Sequence, residues 1–122
     1  MIVEYTRYRI SQDRASAFEQ AYRSAQRYLR ASPHCLSYEL SHCTEEPERY
    51  VLRIEWVSEE EHLQGFRKQP DFKSFFALVQ PFIPNLEEMQ HYELTEVLGG
   101  GGATADERLP EFSAGVPREE IP

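Results

Sequence analysis

Residues 54–63 read Ile54-Glu55-Trp56-Val57-Ser58-Glu59-Glu60-Glu61-His62-Leu63, and this stretch indicates more about the fold than any other. It predicts a strand that ends on the only tryptophan of the chain and passes directly into a helix. Ser58 is a favourable N-cap, and Glu61 three residues later completes a capping-box pattern. Because almost no loop separates the two elements, Trp56 should be held at a fixed height beside the helix start. A large side chain there can line a ligand pocket, or it can simply belong to the core.

The rest of the chain alternates between strand-like and helix-like periods. Stops at Pro33, Pro47, Pro70 and Pro81 separate the segments. The first predicted elements are a strand over 2–10 and a helix capped by Ser11 or Asp13, whose apolar stripe is Ala15, Phe18, Tyr22, Ala25 and Leu29. Strands over 35–43 and 50–56 follow as a hairpin. A helix over 58–68, a second helix from Pro70 with Phe72, Phe75, Phe76 and Val79 on one face, and a strand over 89–97 complete the order.

This β-α-β-β-α-α-β order predicts an α+β fold with a ferredoxin-like layer. Helices can cover only one face of such a sheet, and the other face still carries apolar residues such as Val3, Tyr5 and Val51. A second sheet would bury them, so we expect a homodimer formed through the sheet faces. Arg53 and Glu55 point away from Trp56 in this pattern, which favours an ion pair at that interface.

Composition bounds the function classes. At 122 residues the chain fits one domain, and its net charge of −8 argues against nucleic acid and against an anionic membrane as partners. We found no signal peptide and no apolar run of membrane-spanning length, which predicts a cytoplasmic protein.

The two remaining features are the C-terminal residues and the two cysteines. Residues 1–98 are predicted to form the folded domain, and residues 99–122 a glycine-hinged acidic tail, which is either a flexible extension or a dimer arm. Cys35 and Cys43 would lie roughly 26 Å apart on one strand, which is too far for a disulfide. Two free thiols are therefore expected.

The residues together resemble the antibiotic biosynthesis monooxygenase (ABM) family over about residues 2–97. The resemblance is carried by the element order, the strand-end Trp56 and the following pattern: Glu4-Tyr5, Phe18, Ser32-Pro33-His34-Cys35, Tyr38-Glu39-Leu40, Ile54-Glu55-Trp56 with Ser58, and Pro70-Asp71-Phe72. It implies a dimeric α+β barrel in which two sheets pack face to face. It also implies oxygenation of phenolic or quinol-like polycyclic substrates without metal or flavin, through a substrate carbanion that reacts with dioxygen.

The resemblance transfers to individual positions only in part. Trp56 matches a pocket-lining tryptophan of the family. Many members carry two histidines around the second helix, whereas this chain has only His62 there, one turn early, with one extra residue between Trp56 and Pro70. Haem-degrading relatives place an axial histidine in the segment that matches residues 72–79; this chain has none, so no haem is expected.

Six residues are candidates for the site. We predict that Trp56, His62 and Tyr38 act in catalysis, His62 as a proton shuttle and Tyr38 by orienting a phenolic substrate. Each also has a plainer interpretation, as a helix-start histidine or as a core tyrosine. The aromatic residues predicted to contact the substrate, and equally suited to the core, are Phe66, Phe72, Phe76 and Tyr38. No metal site is predicted, because His42 and His91 have no cysteine or carboxylate at ligand spacing.

Two functions remain open at this stage. The first is a cofactor-independent monooxygenase acting on an electron-rich aromatic or quinol-type small molecule. The alternative is a non-catalytic dimer on the same fold that binds a small ligand or serves as an accessory or stress protein. A third possibility keeps the fold but places the ligand contacts across the dimer, with the acidic tail as a lid.

Overall fold

A computed structural model describes residues 1–101 of the chain. Four of its strands pair antiparallel in one sheet, and the helices connect them in the expected order. The regular elements are β1 (Ile2–Arg9), α1 (Ala15–Arg30), β2 (Cys35–His42), β3 (Arg49–Trp56), α2 (Pro70–Val79) and β4 (Leu86–Glu93), with a π-helical turn at Glu61–Gly65 and 3₁₀ turns at Gln12–Arg14, Phe66–Lys68 and Gln80–Asn85. The strand order is β2-β3-β1-β4, which confirms the ferredoxin-like α+β layer.

The apolar stripe of α1 packs on one face of the sheet, as the periodicity predicts. Phe18, Tyr22, Ala25 and Leu29 are all buried, and they share one core cluster with the inward residues of β3. Those inward residues are Tyr50, Leu52, Ile54 and Trp56. The helix stripe and the alternation of β3 therefore meet as the two halves of a single core.

The prediction for β4 was wrong by three to four residues. Alternation continues over 89–97, but the strand runs from Leu86 to Glu93. Its limits follow from its partner, because β1 begins at Ile2, which pairs with Glu93. Beyond that point, among residues 1–101, only the bond from Leu94 N–H to the Met1 carbonyl continues the pairing.

The segment after Trp56 is helical but not the regular α-helix that the capping pattern predicts. Ser58 does cap it, since its Oγ accepts the Glu61 N–H at 3.0 Å. The Glu61 side chain, however, bonds the His34 ring at 2.5 Å instead of closing the capping box. A π-helical turn and a 3₁₀ turn then follow before α2 begins at Pro70.

A register shift at the start of β2 changes which side chain faces the core there. The shift falls between Cys35 and Ser37, so Leu36 is half exposed while Cys35 packs against the core. Plain alternation along β2 would place Leu36 on the inner face with Tyr38, and the shift prevents this. Cys35 and Cys43 are free thiols, as predicted.

The opposite face of the sheet carries Val3, Tyr5, Val51 and Arg53, as the strand registers show. Arg53 lies 3.5 Å from Glu39 and 3.1 Å from Glu55, so its ion pairs form within the chain. No helix among residues 1–101 is long and apolar enough to cross a membrane. The predicted tail lies outside the described residues from position 102 onward.

Candidate functional site

A cavity of about 210 Å³ lies between the inner face of the sheet and the helices. Its wall is mostly apolar and aromatic, with a few polar groups at one end. The residues that line it include Glu4, Thr6, Tyr8, Tyr22, Ile54, Trp56, His62, Phe66, Arg67, Phe72, Phe75, Phe76 and Met89.

Five of the six sequence-predicted site residues meet in this cavity. Trp56 is 1% exposed, and its ring stacks on His62 with centroids 4.4 Å apart and an interplanar angle of 15°. Phe66 packs against Trp56 at 5.4 Å, and Phe72 contacts both Phe66 and Phe76. The end of β3, the π-helical turn, the 3₁₀ turn that begins at Phe66 and the first two turns of α2 therefore build one aromatic wall.

Tyr38 lies elsewhere. It lines a separate groove between α1 and β2, where its hydroxyl donates a hydrogen bond to Gln26 Oε1 at 2.9 Å. The position follows from the sheet order, because β2 is an edge strand and β3 separates it from β1, which carries the cavity residues Glu4 and Thr6. The expectation that Tyr38 reaches the aromatic cavity is corrected accordingly.

Glu4 is a site residue that the sequence interpretation missed. It lies on β1, is 4% exposed and faces the cavity. Its Oε1 accepts a hydrogen bond from Trp56 Nε1 at 3.0 Å, and its Oε2 accepts one from Thr6 Oγ1 at 2.9 Å. A carboxylate at an inward strand position is uncommon, because burying a charge is costly unless it is hydrogen-bonded. That departure from the apolar pattern was the available signal.

Two histidines join Glu4. His62 Nε2 lies 3.3 Å from Glu4 Oε1, and His62 Nδ1 lies 2.7 Å from His91 Nε2. Burial, with a smaller contribution from His91, lowers the pKa of His62 to about 3, so this imidazole is neutral at physiological pH. His91 is brought in by the register of β4, in which it pairs directly with Glu4. Linear spacing could not show this, since the two residues are far apart along the chain.

Among the described residues, these three side chains bring possible metal-ligand atoms close together. One oxygen of Glu4 and one nitrogen of each histidine lie within 4.8 Å of one another, which is close enough to hold a metal ion. The sequence-based statement that His91 has no carboxylate at ligand spacing therefore fails in three dimensions. The partner is Glu4, on the neighbouring strand.

Arg67 and a tyrosine pair complete the polar part of the wall. Arg67 is exposed, lines the cavity, and holds its guanidinium 5.6 Å from the Phe72 ring centroid. Tyr8 and Tyr22 share a hydrogen bond of 2.5 Å between their hydroxyls. Burial raises the pKa of Tyr22 well above its ordinary value, so this pair is neutral. The cavity thus has one permanent cation at its rim.

Comparison with known proteins places this geometry in a family. A profile described as "Antibiotic biosynthesis monooxygenase" (ABM) matches residues 1–78. The chain belongs to the antibiotic biosynthesis monooxygenase family. Among curated proteins, this ABM chain is 28% identical over 93 residues to the uncharacterized protein YczJ of Bacillus subtilis (strain 168), a match that spans 76% of this chain and 98% of that protein.

Solved structures share the fold of this ABM protein. One is the crystal structure of a Bordetella bronchiseptica protein named "Putative antibiotic biosynthesis monooxygenase". It is 24% identical with a TM-score of 0.68, and the match covers 77% of this chain and 96% of that one. A conserved protein from Methanosarcina mazei Go1 has a TM-score of 0.66 at 19% identity, with coverage of 77% and 92%. At these identities the likeness shows the fold. Family membership supports a monooxygenase at the level of the family, without fixing a substrate.

Proposed function

We propose that this protein is a monooxygenase that oxidises a small, electron-rich aromatic molecule of the quinol type, bound in the aromatic cavity. The observation that carries the proposal is the cavity itself, with Trp56, Phe66 and Phe72 on its walls and Arg67 at its rim. Flat aromatic rings bind well against such surfaces, and few polar groups are needed to orient them.

The size of the cavity narrows the substrate class. At about 210 Å³ it is smaller than the roughly 300 Å³ at which pockets for drug-sized ligands begin. Phe72 and Phe76 stack on each other at 5.8 Å and occupy space that a larger ligand would need. A substrate with one or two rings, such as a benzoquinol or naphthoquinol, fits this volume better than a polycyclic one.

The chemistry needs an electron-rich substrate anion and a dry site. An ionised quinol reacts with dioxygen at a ring carbon. One oxygen atom stays on the ring as a new hydroxyl, and the other leaves as water. The quinol supplies all the electrons for this reduction and becomes a hydroxyquinone. Arg67 is permanently charged and lies where an ionised substrate oxygen would enter, so it favours the anion. Trp56 and Phe66, both buried, exclude water from the reacting ring.

Oxygen uptake tests the proposal. We expect chelator-treated protein to consume oxygen with one- and two-ring quinols, faster than with a three-ring anthrone. Arg67→Gln should lower kcat/KM by about tenfold to a hundredfold, the size of effect expected when one charge-stabilising donor is lost at a partly open site. Arg67→Lys should retain more activity. Tyr38→Phe is the matched control outside the cavity and should leave the rate unchanged.

A non-catalytic ligand-binding role is the second candidate. The small volume of the cavity also suits a simple binding site. Burial lowers the pKa of His62 to about 3, which makes its imidazole a weak base and a poor proton shuttle. Titration of Trp56 fluorescence with the same quinols separates the two. Saturable quenching without oxygen uptake supports a binding protein and rejects the monooxygenase.

The uncovered sheet face supports a homodimer. Both α-helices pack on the face that carries Tyr8 and Leu52, which leaves Tyr5 and Tyr92 in edge contact on the other face with centroids 5.4 Å apart. Burial of this face against a second copy would remove the exposed ring of Tyr92 from water. Light scattering after size exclusion should give the mass of two chains, and Tyr5→Glu should shift it to one. A single-chain mass for the unaltered protein rejects the dimer.

A further inference from the structure

We propose that Glu4, His62 and His91 form a binding site for a divalent first-row transition-metal ion at the wall of the cavity. Two imidazoles and one carboxylate are a donor set that such ions bind, with further positions left open to water or substrate. The three residues come from β1, the π-helical turn and β4, so the site exists only in the folded chain. The inference goes beyond the proposed oxygenation and can be tested without any substrate.

The distances fit ligation. Glu4 Oε1 lies 3.3 Å from His62 Nε2 and 3.9 Å from His91 Nε2. Ligand atoms about 2.1 Å from one ion are separated from each other by roughly 3.0 to 3.4 Å. With Glu4 Oε1, His62 Nε2 and His91 Nε2 as the ligand atoms, the His91 ring must turn from His62 Nδ1 toward His62 Nε2 and move closer to Glu4. The donor atoms are already gathered within 4.8 Å, which lowers the ordering cost of binding.

The surroundings of the ligands are those of a built site. Ligating carboxylates and histidines are usually held by outer hydrogen bonds that fix their orientation. Glu4 is held through both oxygens by Trp56 and Thr6, and His62 is fixed by the stacked Trp56 ring. On the outer side, Glu59 Oε2 lies 4.0 Å from His91 Nδ1, the ring nitrogen that would not face the ion.

The short contact between the histidines is consistent with this role. His62 Nδ1 and His91 Nε2 are 2.7 Å apart, so in the metal-free protein they share one proton. An imidazole gives only one nitrogen to a given ion, so an ion held by His62 Nε2 would end this contact, take His91 Nε2 as its own ligand and displace any proton that this nitrogen carries. It would also neutralise the carboxylate of Glu4, which is otherwise buried beside apolar rings.

An ion can reach the site from outside. The His91 side chain is 20% exposed, whereas the side chains of Glu4 and His62 are 5% and 4% exposed. His91 therefore lies at the outer end of the cluster and Glu4 at its inner end. Because Glu4 and His62 line the aromatic cavity, an open coordination position would face that cavity.

Metal titration is the test. Full-length protein is stripped with a chelator and then titrated with Co²⁺, followed by its visible d–d absorption, and with Zn²⁺ by calorimetry. We expect one ion per chain and competition between the two metals for the same site. His91→Gln, at the partly exposed ligand, should weaken binding at least about a hundredfold, since loss even of an outer partner costs roughly tenfold to a hundredfold.

The controls separate the site from other histidines and from folding. His42 stacks on Tyr50 with centroids 4.1 Å apart, away from the cavity, so His42→Gln should bind metal like the unaltered protein. Glu4→Gln should also lose binding, and circular dichroism reports whether it remains folded. Absence of binding to the stripped protein overturns the proposal. So does binding that survives His91→Gln, because the ion would then lie elsewhere.

Discussion

Replacing Trp56 by phenylalanine removes one defined hydrogen bond and part of one aromatic ring from the centre of the site. The indole N–H donates to Glu4 Oε1 at 3.0 Å, and both side chains are almost completely buried. A buried hydrogen bond to a charged group contributes about 1.5 to 3 kcal/mol. The smaller ring adds about 1 kcal/mol of lost packing, by comparison with other large-to-small core substitutions. We therefore expect Trp56→Phe to lower the free energy of unfolding by about 2.5 to 4 kcal/mol.

The hydrogen-bond share can be isolated by a double-mutant cycle with Glu4→Met, which replaces the carboxylate by an apolar side chain of similar length. In that background Trp56→Phe should cost only the packing share, about 1 kcal/mol. Urea unfolding at neutral pH, with chelator present, gives each value. It is followed by far-UV circular dichroism because the variant has no tryptophan, and unchanged m-values show that the transitions are comparable. Equal costs of Trp56→Phe in the two backgrounds would refute the view that Trp56 holds the Glu4 carboxylate.

Three further predictions address the surrounding structure. Burial raises the pKa of the Cys35 thiol to about 11, so at pH 8 only about one part in a thousand of it is thiolate. Iodoacetamide should therefore label Cys43 well before Cys35. Equal labelling rates of the Cys43→Ser protein, which keeps Cys35, and the Cys35→Ser protein, which keeps Cys43, would contradict this. A methyl group on Gly65 would lie 2.7 Å from the His34 ring, so Gly65→Ala should lower the free energy of unfolding by about 1 to 3 kcal/mol. The same substitution should cost much less in a His34→Ala background. An equal cost in both backgrounds, measured by urea unfolding, rejects the clash. Tyr8→Phe and Tyr22→Phe should each lower the free energy of unfolding by about 1 to 3 kcal/mol, because each leaves the other buried hydroxyl without this partner. The double variant should lose less than the sum of the two single losses. Additive losses in the same urea assay would count against the shared bond.

Several parts of the fold could be predicted from local periodicity. The stripe of α1, the alternation of β3 and the restart of the helix at Pro70 are all found where the sequence indicates them. These patterns are reliable because each element must bury one face, and the spacing of its apolar residues records which face that is. The resemblance to the family, rather than periodicity, grouped Trp56, His62 and three phenylalanines into one candidate site.

The π-helical turn shows where that reasoning stops. A capping pattern indicates that a helix begins at Ser58, but it does not indicate how many residues each turn takes. A π-helical turn closes its hydrogen bonds over one residue more than an α-helical turn, so it takes up an extra residue locally. Trp56 and α2 can then keep their places while His62 and Phe66 both stay buried.

The sequence by itself indicated the element order, because the spacing within single elements records it, and the resemblance carried by its residues indicated the family and the aromatic side of the cavity. The tertiary structure alone decided that Tyr38 lies in another groove and that Glu4, His62 and His91 meet. Glu4 and His91 become neighbours only through the pairing of the first and last strands. Strand register depends on the packing of the whole sheet, so a contact across it has no local trace in the chain.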